Sequence, residues 1–219
     1  MLLEHWVYSI AIAIIAGGIY RKYAKKDYSW IIIASAYAPD LDLFLNTFLG
    51  KFGIVLLIHG KPITHGDFHN LAVMLLFAAI IALLLQSFNI RFRDSFIFAI
   101  IGFSAHMFGD ALVFNPAYAF LWPIFNQKYG IGLFDYSPDL YGIADPSVLI
   151  VGLMVVMVLA IIRIRHEGNE WITNMVVPNP LLSFSMNIWN QTHLWIEHWG
   201  HEYEVMECEV KLNKNEIVD

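Results

Sequence analysis

Apolar residues gather into five segments separated by short polar stretches. The first runs roughly from Trp6 to Tyr20 and the second begins at Tyr28; the others are Leu71–Leu85, Ser95–Phe114 and Ser147–Ile162. A helix needs about 20 residues, each rising 1.5 Å, to cross a bilayer, and several of these runs are shorter. They reach that length only if flanking polar residues are counted: His5 before the first, Asp40 and Asp42 within the second, His65 and His69 before the third. The pattern predicts an all-α integral membrane bundle of about five transmembrane helices over residues 1–165. Ionisable groups at membrane depth are expensive and tend to mark function.

The punctuation agrees with these limits. Gly17-Gly18 loosens the first helix near its end, and Gly50 and Gly53 mark the loop after the second. Asp145-Pro146 reads as an N-cap followed by proline at the first helical position, opening the fifth helix. Basic residues crowd alternate connections: Arg21, Lys22, Lys25 and Lys26, then Arg91 and Arg93, then Arg163 and Arg165. The opposite loops hold only Lys51, Lys61 and Lys128. Under the positive-inside rule the basic connections are cytoplasmic, which puts the N-terminus outside and the C-terminal tail inside. Glu4 and His5 precede the first apolar run and the basic cluster follows it, an order that suits a retained helix, not a cleaved secretion signal.

Composition strengthens the membrane reading. Of 219 residues, 58% are hydrophobic and 15% charged, where a soluble domain carries roughly 25% charged; the mean hydropathy is +0.57. The net charge of −6 gives no support to nucleic-acid binding. Cys208 is the only cysteine, which excludes an intrachain disulfide and a cysteine-rich zinc site.

On the predicted topology, residues distant in sequence reach the same membrane face. His106 and Asp110, at i and i+4, share a helix face and can reach one ion; the alternative is a polar pair that holds helices together. Asp40 and Asp42 flank Leu41 directly after Pro39, where proline disfavours regular helix and a distorted backbone can turn both carboxylates one way. The alternative there is a solvated acid pair in a loop. Thr64 to His69 is expected to open the third helix, with Thr64 as cap and His65 and His69 on one face. His5, His59 and His69 are further ligand candidates on the same side. Histidine nitrogen with carboxylate oxygen and no thiolate suits one or two divalent ions, zinc first, manganese or iron next, with magnesium less natural. Lys61 is placed to meet a substrate phosphate or lies in the headgroup region.

The chain resembles the YdjM-like inner-membrane metal-dependent hydrolases over roughly residues 1–165. The matching pieces are His5, Pro39-Asp40-Leu41-Asp42, Thr64-His65, Ala105-His106 with Asp110-Ala111-Leu112, Leu121-Trp122-Pro123 and Asp145-Pro146. The resemblance implies a plasma-membrane hydrolase and favours His65 as a ligand. Where the family carries a His-Arg pair before Thr-His, this chain has Gly60 and Lys61, with His59 displaced by one residue. Gly66 and Val113 also depart from the family's serine and threonine.

The expected ligands are His5, Asp40, His65, His106 and Asp110. Asp42 would bridge ions, orient a ligand or act as general base. Two ions and a metal-bound hydroxide would suit phosphoester hydrolysis, on a lipid or membrane-proximal substrate. Two other classes compete: a metal-ion or proton transporter, against which the absence of a repeat counts, and a scaffold whose metal only stabilises packing. In the tail, 166–219, partial alternation over Met186–Trp199 and Tyr203–Leu212, with Gly200-His201 between them, suggests a small cytoplasmic β-hairpin. His193, Glu197 and His201 are read as surface residues there, and Trp189, Trp195 and Trp199 as interfacial anchors.

Overall fold

The computed structural model describes residues 2–58, 60–134, 145–176, 178, 180 and 182–192. His59, the 193–212 part of the suggested hairpin, and His193, Trp195, Glu197, Trp199 and His201 lie outside them. The chain forms two compact units, Met1–Pro178 and Asn179–Asp219. In the second, residues 182–192 are helical, so the described start of the hairpin's expected first arm, from Met186, is helix and not strand.

The first unit is helical: α1 Leu2–Ala24, α2 Ser29–Ser35, α3 Leu41–Gly50, α4 Leu71–Gln86, α5 Phe92–Val113, α6 Pro146–Glu167 and α7 Glu170–Val176, with a two-rung hairpin of β1 Leu57–Ile58 and β2 Lys61–Pro62. Among the described residues, three helices are long and apolar enough to cross a membrane: Leu3–Ala24, Phe92–Val113 and Pro146–Glu167. At 1.5 Å per residue the 22 residues of α5 span roughly 33 Å, whereas the 16 of α4 span roughly 24 Å.

Local chemistry accounts for the boundaries. Asp145 caps α6 as expected, accepting from Ser147 N–H at 2.7 Å with Pro146 in the first turn. The second apolar segment is not one helix. It breaks after Ser35, and residues 36–40 pass through successive tight turns: Ala38 N–H to Ser35, Asp40 N–H to Tyr37, Leu41 N–H to Ala38. Pro39 lies inside the break, where it cannot donate. The third segment also differs from expectation. Thr64 does not cap a helix, because its N–H and hydroxyl both go to Asp67. Asn70 is the cap, accepting from Val73 N–H at 3.0 Å, so α4 starts at Leu71 and residues 63–69 remain a folded loop.

The packing relies on small residues, as expected where lipid removes most of the hydrophobic drive between helices. Ala13, Ala78, Ala82 and Ala99 are fully buried. α5 lies at the centre, against α1, α2 and α4. α6 packs along α1 alone among the long helices and leaves Ile150, Val151, Val155 and Val158 exposed, an outward face suited to lipid. At the far end of α1, the buried Arg163 pairs with Asp27 and, at 3.0 Å, with Glu167. Its Nη1 donates to the Ile14 carbonyl, and its guanidinium lies 4.5 Å from the Trp171 ring.

Candidate metal centre

Four elements deliver the polar cluster. His5 comes from the first turns of α1, Asp40 and Asp42 from the start of α3, His65 and His69 from the loop before α4, and His106 and Asp110 from successive turns of α5. His5, Asp42, His69, His106 and Asp110 are buried; Asp40 is part-exposed and the His65 side chain is 45% exposed. The cluster is therefore closed on the bundle side and open at the loop.

The break between α2 and α3 has a direct chemical role. It leaves the Ala36 carbonyl available, and His106 Nδ1 lies 2.7 Å from it. A carbonyl only accepts, so Nδ1 carries the proton and, in the neutral ring, Nε2 presents a lone pair. That nitrogen faces two carboxylate oxygens, Asp110 Oδ2 at 3.4 Å and Asp40 Oδ1 at 3.5 Å. Acceptors facing acceptors in a buried site repel unless a proton or a cation lies between them.

The distances suit a cation. His69 Nε2 lies 3.0 Å from Asp110 Oδ2, 3.5 Å from Asp40 Oδ1 and 3.3 Å from His106 Nε2. These four atoms, two nitrogens and two oxygens, thus have five mutual separations between 3.0 and 3.5 Å. A tetrahedral zinc ion with ligands at about 2.0–2.2 Å sets ligand–ligand edges of about 3.3–3.6 Å. Around this quartet the donors also group as His5, His106 and Asp110, and as Asp40, His65 and His69, each trio within 4.8 Å. His5 Nε2 reaches the other oxygen of Asp110 at 3.2 Å, and its ring stacks on His106 at 3.7 Å. Gly109 permits this approach: a β-carbon there would lie 2.8 Å from Tyr8 and 3.1 Å from the His5 ring.

Asp42 has a different environment. Its carboxylate accepts from Gly66 N–H at 2.8 Å, Phe68 N–H at 3.3 Å and Leu43 N–H at 2.6 Å, and lies 3.3 Å from His65 Nδ1. It ties the 64–69 loop to α3. The hydrogen bond to Asp42 raises His65 above the ordinary imidazole value, against the opposing effect of partial burial. Gly66 adopts φ +102°, and a β-carbon there would collide with the Tyr118 ring. That ring packs 4.3 Å from the His69 ring. The Tyr118 segment is fixed in turn by α4, whose Leu71 and Ala72 N–H groups donate to the Phe120 and Trp122 carbonyls.

His5, Asp40, Asp42, His65, His69, His106 and Asp110 therefore meet in one place. Lys61 sits exposed on β2 and makes no described contact with them. His69, read from sequence as a supporting or interfacial residue, occupies the middle of the quartet. Tyr118 and the buried Glu4 were not singled out as site residues; no residue pattern pointed to Tyr118, and Glu4 read only as a flanking charge.

Residues 1–186 match the family described as YdjM inner membrane protein. No curated protein and no solved structure matches the chain.

Proposed function

This chain belongs to the YdjM inner membrane protein family, and on that premise we propose that it is a membrane-embedded, metal-dependent hydrolase of phosphoesters, with a lipid or membrane-proximal phosphate as substrate. The observation that supports it is His106 Nε2 facing two carboxylate oxygens inside a set of six histidine and aspartate donors, with its Nδ1 on the Ala36 carbonyl. Zinc is the favoured ion, held by Asp40, His69, His106 and Asp110, with His5 and His65 available for a second. A bound divalent ion would supply Lewis acidity toward a phosphoryl oxygen and lower the pKa of coordinated water to near neutrality.

The residues divide the remaining work. Ala36 fixes the His106 tautomer. Asp42, saturated by backbone donors, is a positioning residue: it holds His65 Nδ1–H and leaves Nε2 with a lone pair. Asp40 and His65 line the open side, where substrate enters. We place this side outside the cytoplasm, with five crossings in which the broken α2–α3 segment and the short α4 are completed by flanking residues; the basic ends of α1 and α6 favour that orientation.

A metal that only staples the bundle is the second reading, because four protein ligands can close a tetrahedral shell. Purified protein should contain about one to two equivalents of zinc and release phosphate or a phosphorylated headgroup from lipid vesicles. Replacing both His106 and Asp110 by alanine should abolish both. Unchanged metal content in that variant removes the proposed centre; full metal content with no hydrolysis of any phospholipid class tested leaves the staple.

A further inference from the structure

We propose that the groove between the basic ends of α1 and α6 is a binding site for one anionic phospholipid. The groove has a volume of about 730 Å³ and two chemically distinct parts. Its walls are apolar, with Ile15 on α1 and Leu159 on α6, and Gly18 keeps the floor open; Arg21, Lys22 and Lys25 stand at its mouth. A ligand that satisfies both parts carries a negative head and a hydrocarbon body.

The two lysines at the mouth are not used up by the fold. Arg163, also on the groove, is committed to Asp27 and Glu167. Arg21 is held more loosely, in ion pairs of 3.8 Å with Glu167 and with the exposed Glu170, too long for hydrogen bonds. Neither Lys22 nor Lys25 is in an ion pair with any described residue. Four cations therefore face three acids, and the surplus sits at the exposed end, where a headgroup would enter. Basic pockets between membrane helices bind anionic headgroups for this reason.

A second groove gives the hydrocarbon a track. It runs over Val151, Met154, Val155, Val158 and Leu159, has a volume of about 290 Å³, and shares Leu159 with the first. From Arg163 back to Val151 the path is roughly 18 Å along α6. A free phosphate would use the mouth and leave this path bare.

The proposal does not depend on the metal centre, since His5 and Gly17 are 12 residues, roughly 18 Å, apart on α1. The test is lipid titration of the full-length protein in neutral detergent, read by native mass spectrometry, with phosphatidylglycerol and phosphatidylcholine of identical acyl chains. Phosphatidylglycerol should bind at least tenfold more tightly. In K22Q/K25Q its affinity should fall about fivefold per lysine, with phosphatidylcholine unchanged and the thermal unfolding midpoint retained. Gly18→Leu, whose side chain grows into the groove, should weaken phosphatidylglycerol while both lysines remain. Equal binding of the two lipids, or wild-type affinity in a folded K22Q/K25Q protein, would overturn the proposal. So would complete displacement of phosphatidylglycerol by millimolar inorganic phosphate, which would reveal a bare anion site.

Discussion

The state of individual protons decides what the histidine cluster can hold. An imidazole ligand must be neutral, so protons compete with metal. His65 keeps its proton above the ordinary histidine value of 6.5 because Asp42 accepts a hydrogen bond from it. A raised pKa favours the charged ring, so acidification removes His65 from the ligand set at a higher pH than a free histidine would imply. Zinc affinity, measured by chelator competition between pH 8 and 6, is expected to decline already on the neutral side. In Asp42→Asn that charge assistance is lost and the decline should move to lower pH. A pH profile identical in the two proteins would show that Asp42 does not control this proton. At this scale the sequence was informative about identity and weak on role. His106 and Asp110 could be paired from their spacing alone. Asp42 could not be assigned, because its partners are backbone N–H groups of Gly66 and Phe68, 24 and 26 residues away, and backbone groups leave no mark in a sequence.

Element boundaries explain most of what sequence reading got right and wrong. The long apolar runs forecast α1, α5 and α6 because lipid imposes length and composition together. The Pro39 distortion was also visible, though not that it would free the Ala36 carbonyl for His106. The His65–His69 loop was mistaken for a helix start, although Asn70 immediately before Leu71 carried the opposite signal. With the helix starting at Leu71, the two imidazoles converge through a loop instead of a shared helical face. The close contact of α1 with α5 at Gly109 is a further element-level dependence. Gly109→Leu is expected to push α1 and His5 away from His106, destabilise the protein by about 1–3 kcal/mol through overpacking, and reduce zinc content. Thermal unfolding and metal analysis of the purified variant would check both; wild-type zinc content would mean that His5 is dispensable.

Across the molecule, two polar clusters stand roughly 18 Å apart along α1: the donor set near His5, and the Arg163 knot near Gly17. The knot fastens α6 and α7 to the start of α2 through Asp27 and Trp171. Arg163→Ala leaves the buried Asp27 carboxylate unpaired and is expected to destabilise by about 3–5 kcal/mol. Removing both partners in an R163A/D27A protein should recover part of that loss, measured as a double-mutant cycle on unfolding midpoints. Surviving R163A protein should still contain metal, since no donor of the cluster comes from α6. That last feature also orders events during synthesis. The donors run from His5 to Asp110, so the set is complete when half the chain has emerged, before any of α6 is made. An ion could be captured by the growing polypeptide at that point, and the last long helix would then dock against a bundle already fastened by its metal.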